Sequence, residues 1–326
     1  MVRGKKSVTA IGGFHEPSQK NGALGVHSIG EFVLAVPAPE KAADFYGAFG
    51  LEVSDSANQI SLATAEGYRW GRVIGGPRKR MHHLSFHCFE EDLPRFKAHL
   101  EGQGIRLLTP APGFDSNGLW LIDPDGLLIE IRVGPKTSPD SKAFPQGFDA
   151  EAAARCAPYR RLAGRVRPRR LSHVLRFTPD VERMIGFYSR ALGLRLSDRS
   201  GSTIAFMHAI HGSDHHVLAF AHSEAPGLHH LSWDVPTLEA VGLGAMAMAD
   251  KGFRIGWGLG RHVLGSNYFH YVRDPWGSFS EYSFNIDYIP ARTEWEPLDH
   301  PGEDSLYLWG PDMPPEFVIN AEAAQD

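Results

Sequence analysis

Seventeen histidines in 326 residues are the feature of this sequence that most demands a chemical explanation. Imidazole is the commonest metal ligand and the side chain that titrates nearest neutral pH. Three positions could act together. His173 and His230 each sit early in an apolar run, and Glu281 stands inside Phe279-Ser280-Glu281-Tyr282-Ser283. A carboxylate among apolar neighbours is costly to bury without a partner. Two histidines and a glutamate on three strands would make a facial triad with three coordination positions open. That arrangement suits non-heme Fe(II) binding a substrate and O₂ together. Zinc on the same ligands would instead favour a water nucleophile and hydrolysis. Singly, each residue is more often a packed or surface residue, so the argument rests on their joint placement.

Three more residues cluster nearby. His216 closes Asp214-His215-His216, 14 residues before His230. His262 ends Gly258-Leu259-Gly260-Arg261-His262, with Tyr271 nine residues on and Glu281 19 residues on. Histidine near a metal can shuttle a proton, and tyrosine can hydrogen-bond an anionic oxygen.

These residues need elements to hold them, and a repeat supplies them. Ile29–Leu34 matches Leu171–Arg176, and each run precedes a proline and an amphipathic stretch holding Phe45-Tyr46 or Phe187-Tyr188. Phe49-Gly50-Leu51 then matches Leu192-Gly193-Leu194, which reads as strand, helix, glycine cap and strand. Met81–Phe86 parallels Leu228–Trp233, and each opens a strand followed by a helix, roughly over 90–103 and 237–251. The tetrads Asp123-Pro124-Asp125-Gly126 and Asp274-Pro275-Trp276-Gly277 read as hairpin loops. Glu130 and Glu281 each follow seven residues after the aspartate. The pattern predicts an α+β fold of tandem βαβββ modules, duplicated at a period of about 145 residues. The expected divisions are an N-terminal arm over 1–24, a first module over 25–134, a linker over 135–170, a metal-binding module over 171–287 and a C-terminal tail over 288–326.

With that organisation in place, Gly258 to Glu281 together with His173 and His230 resembles the type I extradiol catechol dioxygenases of the vicinal oxygen chelate superfamily. It is most similar to the homoprotocatechuate 2,3-dioxygenase and 2,3-dihydroxybiphenyl 1,2-dioxygenase group. The pattern G-x-G-R-H-x₈-Y-x₉-E matches at every defined position, and the resemblance covers roughly residues 25–290. It implies that His173, His230 and Glu281 hold Fe(II), occasionally Mn(II). It implies that His216 is the acid–base histidine beside the O₂ site, and that His262 and Tyr271 contact a bound catecholate. The substrates would be a catechol and O₂, with ring opening beside the diol to a muconic semialdehyde-type product.

The first copy departs from this pattern. Its equivalents of the triad are Glu31, His83 and Glu130, with Arg69 at the place of His216 and Trp120 at that of Tyr271. A structural remnant is expected there, although Glu, His and Glu are competent ligands. In the family an arginine just before the glycine-rich stretch helps read a substrate carboxylate, and here that position is Trp257. Trp257, Phe206 and Leu175 would form an apolar pocket favouring an alkyl or aryl substituent. Arg176 and Arg273 are the runner-up readers of a carboxylate. Tyr307, Leu308, Trp309 and Pro311 of the tail are candidates to cover the pocket. Two other classes compete: a glyoxalase-type metal-dependent isomerase or lyase, and a ligand-binding member without catalysis.

Composition narrows the remainder. The net charge of −5 disfavours nucleic acid and membrane surfaces as partners. The arginines between 160 and 170 lack interleaved aromatics and read as a solvated or interface-facing run. Two cysteines cannot build a disulfide framework, and a reduced cytoplasm fits them best. No run reaches the ~18 apolar residues that cross a bilayer. A homo-oligomer is expected.

Overall fold

The computed structural model describes residues 18–56, 59–114, 116–142, 153 and 157–323. Most of the expected N-terminal arm, and Cys156, lie outside the described residues. The first module runs β1 (Ser28–Val36), α1 (Glu40–Phe49), β2 (Glu52–Ser56), β3 (Gln59–Ala63), β4 (Arg69–Gly75), β5 (Arg80–Cys88), α2 (Asp92–Gly102), β6 (Leu119–Ile122) and β7 (Leu128–Val133). The second runs β8 (Arg170–Thr178), α3 (Val181–Leu192), β9 (Leu194–Ser200), β10 (Ile204–Ala209), β11 (Ser213–Asp214), β12 (Leu218–His222), β13 (Gly227–Asp234), α4 (Leu238–Asp250), β14 (Gly256–His262), β15 (Tyr268–Arg273) and β16 (Phe279–Phe284). After it come β17 (Tyr288–Ile289), β18 (Leu298–Asp299), α5 (Gly302–Ser305) and β19 (Tyr307–Trp309). Three of the four half-modules have the complete βαβββ order. In the fourth, the first hairpin strand shrinks to a single bridge between Leu108 and Trp120.

The two copies build separate sheets of the same plan. One is ordered β2-β3-β4-β1-β5-β7-β6, the other β18-β9-β10-β12-β8-β13-β16-β15-β14-β19. In each, the first strands of the two halves lie side by side and antiparallel, β1 with β5 and β8 with β13. That pairing brings residues far apart in sequence onto adjacent strands at the middle of the sheet.

Local chemistry fixes the supporting elements. Helix α3 starts where the Asp180 side chain accepts a hydrogen bond from the Arg183 backbone N–H at 2.9 Å, and it ends at Gly193 with φ +73°. Its buried positions, Val181, Met184, Ile185, Tyr188, Ala191 and Leu192, follow the helical period and face the sheet. In both Asp-Pro-x-Gly tetrads the aspartate Oδ1 accepts two backbone N–H groups of the loop, and the glycine takes a positive φ, +86° at Gly126 and +96° at Gly277.

The modules are tied by buried contacts. Phe49 stacks on Tyr282 with ring centroids 3.8 Å apart, and the Tyr282 hydroxyl donates to the Phe49 carbonyl. The Arg176 guanidinium pairs with Asp123 of the first module, which also accepts from Tyr188 at 2.9 Å. The arginine run is exposed at Arg160, Arg161, Arg165 and Arg167 and buried at its end. Arg170 is buried in β8 and grips Asp214, and Arg167 pairs with Glu52.

Candidate functional site

One row of residues crosses the second sheet. His173 on β8 stands opposite Ser232 on β13, and Ser232 is opposite Glu281 on β16. Glu281 is opposite Tyr271 on β15, and Tyr271 is opposite Trp257 on β14. His230 lies two residues before Ser232 and therefore projects from the same face. The row recurs in the first copy as Glu31, Ser85, Glu130 and Trp120, with His83 two residues before the serine. The two sheets thus carry His173, His230 and Glu281 and their first-copy counterparts in matching register.

The convergence is tight. His173 Nε2 lies 3.1 Å from His230 Nε2, and Glu281 Oε2 lies 3.3 Å from the first and 3.7 Å from the second. The three residues form the one group of potential metal ligands found among the described residues. Glu281 is fully buried, and its Oε2 accepts no hydrogen bond. An uncompensated buried charge costs about 3–5 kcal/mol. The other oxygen, Oε1, accepts from Asn267 Nδ2 at 3.0 Å. Burial alone would raise the Glu281 pKa, but the close approach of His173, with His262 beyond it, holds it below the usual carboxylate value.

The two histidine rings are oriented from behind. His229 Nε2 lies 2.8 Å from the Phe317 carbonyl, and a carbonyl can only accept, so His229 donates from Nε2. His229 Nδ1 is then the acceptor in its 2.7 Å contact with His230 Nδ1. This leaves the His230 Nε2 lone pair pointing into the triad. His173 Nδ1 leans on Ser172 Oγ, which donates to Asp214. Two imidazole nitrogens and a bare carboxylate oxygen converging without a proton donor between them form a donor set fitted to a divalent cation.

Around the triad the structure gathers the other expected residues. The His216 ring lies 4.0 Å from that of His173, centroid to centroid. Burial first, then charge from His173 and His215, pulls His216 well below the ordinary imidazole pKa. The Tyr271 hydroxyl lies 2.8 Å from His262 Nε2, and His262 Nδ1 lies 2.7 Å from the Leu306 carbonyl. By the same donor logic His262 gives its proton to Leu306 and accepts from Tyr271. Burial, then the Glu281 charge, pushes the Tyr271 pKa upward.

A cavity of about 360 Å³ opens over this group, near the lower end of ligand-sized pockets. His173, His216, His230, His262, Asn267 and Tyr271 give it polar contacts. Its apolar wall holds Leu175, Phe177, Phe206, Leu264, Met313 and Phe317, and among the described residues no lysine or arginine lines it. Leu175 and Phe206 line that wall.

Trp257 does not. It is absent from the wall because it packs behind Tyr271, parallel to that ring at 5.8 Å, with its indole N–H donating to the Pro311 carbonyl at 2.8 Å. Arg176 is committed to Asp123, and Arg273 does not line the cavity. In the tail, Tyr307 and Trp309 pair with β14 as a strand, and the cavity is lined instead by Ser305, Leu306, Met313 and Phe317. Phe177 lies four residues after His173 on the same strand, so strand alternation could have found it. Asn267 lies just before β15, outside the strand, where alternation gives no signal. Phe317 carries no such signal.

The first copy holds no comparable cluster among the described residues. Arg72, Arg69 and Arg132 surround Glu31, while Ser85 and Ser116 donate to Glu130.

Comparison with known proteins agrees with this geometry. Residues 170–282 match the model of the Glyoxalase/Bleomycin resistance protein/Dioxygenase superfamily. The chain is 51% identical over 298 residues to "Metapyrocatechase 2" of Cupriavidus necator, covering 91% of this chain and 93% of that one. Among solved structures, an extradiol ring-cleaving dioxygenase from B. fuscum superposes with a TM-score of 0.73 at 22% identity, over 93% of this chain and 84% of that one. A Mn(II)-bound glyoxalase from Novosphingobium aromaticivorans superposes with a TM-score of 0.70 at 23% identity, over 92% of this chain and 99% of that one.

Proposed function

The chain belongs to the Glyoxalase/Bleomycin resistance protein/Dioxygenase superfamily, as an extradiol catechol dioxygenase of its vicinal oxygen chelate fold, and from that membership we propose its metal, substrate and residue roles. The metal is Fe(II), held by His173, His230 and Glu281. The substrate is a catechol bearing an alkyl or aryl group, and the co-substrate is O₂. The observation that carries this reading is the buried triad, with its bare Glu281 oxygen, beneath an apolar cavity that no lysine or arginine lines among the described residues.

A metal at the triad supplies open coordination positions at which the diol and O₂ are held side by side, turning an encounter into an oriented reaction. The chain does the rest. On substrate binding the Tyr271 hydroxyl exchanges its bond to His262 Nε2 for one donated to a catecholate oxygen. His216, neutral in its buried setting, takes a proton from the second diol hydroxyl and returns it as the ring opens. Leu175, Phe177 and Phe206 hold the ring and its substituent in place. Met313 and Phe317 of the tail exclude water.

A carboxylate on the ring would enter this cavity without a cationic partner and pay its desolvation cost. A glyoxalase-type isomerase or a plain binding protein would have no use for the His216, His262 and Tyr271 constellation. The exposed Leu308, Trp309, Val318 and Ile319 on the tail support a homo-oligomer, which light scattering after size exclusion would reveal. The experiment for substrate class is side-by-side steady-state kinetics of the Fe(II)-loaded protein. Alkyl- and aryl-substituted catechols are expected to show higher kcat/KM than homoprotocatechuate or 2,3-dihydroxybenzoate. A clear preference for the carboxylated set would overturn the reading.

A further inference from the structure

His216 does not stand alone in its strand. Its Nδ1 lies 3.0 Å from Nδ1 of His215, and His215 Nε2 lies 2.8 Å from Asp198 Oδ2. The other Asp198 oxygen, Oδ1, accepts from the Leu298 backbone N–H at 2.9 Å and lies 3.1 Å from His300 Nε2. His215 and Asp198 are both buried, while the His300 side chain reaches the surface.

The donors can be assigned in sequence. An ionised carboxylate only accepts, so His215 donates from Nε2. Hydrogen bonding from His215 helps hold Asp198 ionised against the opposing effect of its burial. A neutral His215 then has a lone pair on Nδ1 and accepts there. His216 must therefore carry its own proton on Nδ1, which leaves Nε2 as its lone-pair atom.

We infer that Asp198 and His215 are positioning residues, which fix from outside the cavity which nitrogen of His216 can take a proton during ring cleavage. This rests on the role proposed for His216. The reacting histidine is thus prepared before substrate binds, as a buried carboxylate prepares the histidine of a hydrolase triad. Here an extra imidazole is interposed between the two.

The construction is repeated in the molecule. The Phe317 carbonyl, His229 and His230 form the same sequence of acceptor, outer imidazole and inner imidazole, with Nδ1 facing Nδ1 at 2.7 Å. His82 and His83 in the first module keep the pair at 2.8 Å, but no acceptor beyond His82 is found among the described hydrogen bonds. The module without the catalytic constellation also lacks the anchor. The anchor of His215 further depends on the tail, because Leu298 and His300 hold the Asp198 carboxylate in place while Trp295 packs on the His215 ring at 5.9 Å.

The test uses the full chain in two forms. In the Fe(II)-loaded enzyme, Asp198→Ala is expected to lower kcat about 10–100-fold, with KM for the catechol and metal content unchanged. His215→Phe preserves packing against Phe206 and Trp295 but has no ring nitrogen, so it should give the same loss and stands in if Asp198→Ala does not fold. In the zinc-loaded protein, whose ion is diamagnetic, ¹⁵N-histidine spectra should show His216 protonated at Nδ1 and bare at Nε2. In Asp198→Ala those signals should average between the two tautomers. A His216 bare at Nδ1 in the unmodified protein overturns the inference. So does full turnover in both variants while His216→Ala is inactive. Full turnover in His216→Ala overturns the role of His216 itself, and the inference with it.

Discussion

Arg72 closes on Glu31 through two hydrogen bonds, Nε to Oε1 at 2.8 Å and Nη2 to Oε2 at 2.9 Å. Glu31 occupies in the first module the register that His173 occupies in the second. A fixed guanidinium therefore neutralises the carboxylate that a metal would otherwise need, and Arg69 adds a second cation at 2.9 Å. A divalent ion would have to displace both.

The first prediction follows from that contrast. Elemental analysis of anaerobically purified protein should find about one equivalent of divalent metal per chain, and Glu281→Ala should abolish it. A stoichiometry near two, surviving in Glu281→Ala at one, would place an ion at Glu31, His83 and Glu130.

His216 touches the triad but donates no atom to it. His216→Ala should therefore retain its metal while turnover falls ~10²–10⁴-fold, the usual contribution of an acid–base group. Metal loss in this variant would make His216 a ligand.

The two aromatic residues Trp257 and Phe206 should separate in their effects. Trp257 backs Tyr271, so Trp257→Ala should lower kcat for all catechols alike and leave the order of preference unchanged. Phe206 lines the wall. Phe206→Ala gives up roughly 60 Å² of apolar contact at ~25 cal/mol per Å², about tenfold in kcat/KM for an aryl catechol. Comparing alkyl, aryl and unsubstituted catechols on both variants checks this.

Buried histidines away from the site make stability depend on pH. Burial, the largest cause in each, lowers His87 to about 4, His208 to about 3 and His211 to about 4. In the unfolded chain they take up protons near the ordinary value of about 6.5. Their contribution is thus complete above pH 6.5 and is lost as pH falls toward 3–4, because the unfolded state then binds more protons. The free energy of urea unfolding should be about 1–2 kcal/mol lower per histidine at pH 5 than at pH 7.5. An unchanged midpoint would mean these groups are protonated in the folded protein.

The duplication, the strand-helix order and the triad could all be read from spacing, because strands hold side chains in a period of two and hairpin tetrads mark their ends. Trp257 was misplaced for a physical reason. It shares a strand face with its neighbours, but a second aromatic layer, Tyr271 and Phe317, intervenes between it and the cavity. The Phe317 carbonyl and Asp198 escaped the sequence reading because each acts through a histidine that is distant in the chain. A backbone acceptor leaves no trace in residue type.

The central claim is tested most directly by one turnover with labelled oxygen. Protein loaded anaerobically with Fe(II) is mixed with an alkyl-substituted catechol and ¹⁸O₂, and the product is read by visible absorbance and mass spectrometry. The account predicts a yellow, ring-opened semialdehyde-type product that has gained both ¹⁸O atoms, formed with Fe(II) and lost in Glu281→Ala. A colourless product cleaved between the two hydroxyls, or one without ¹⁸O, would contradict it.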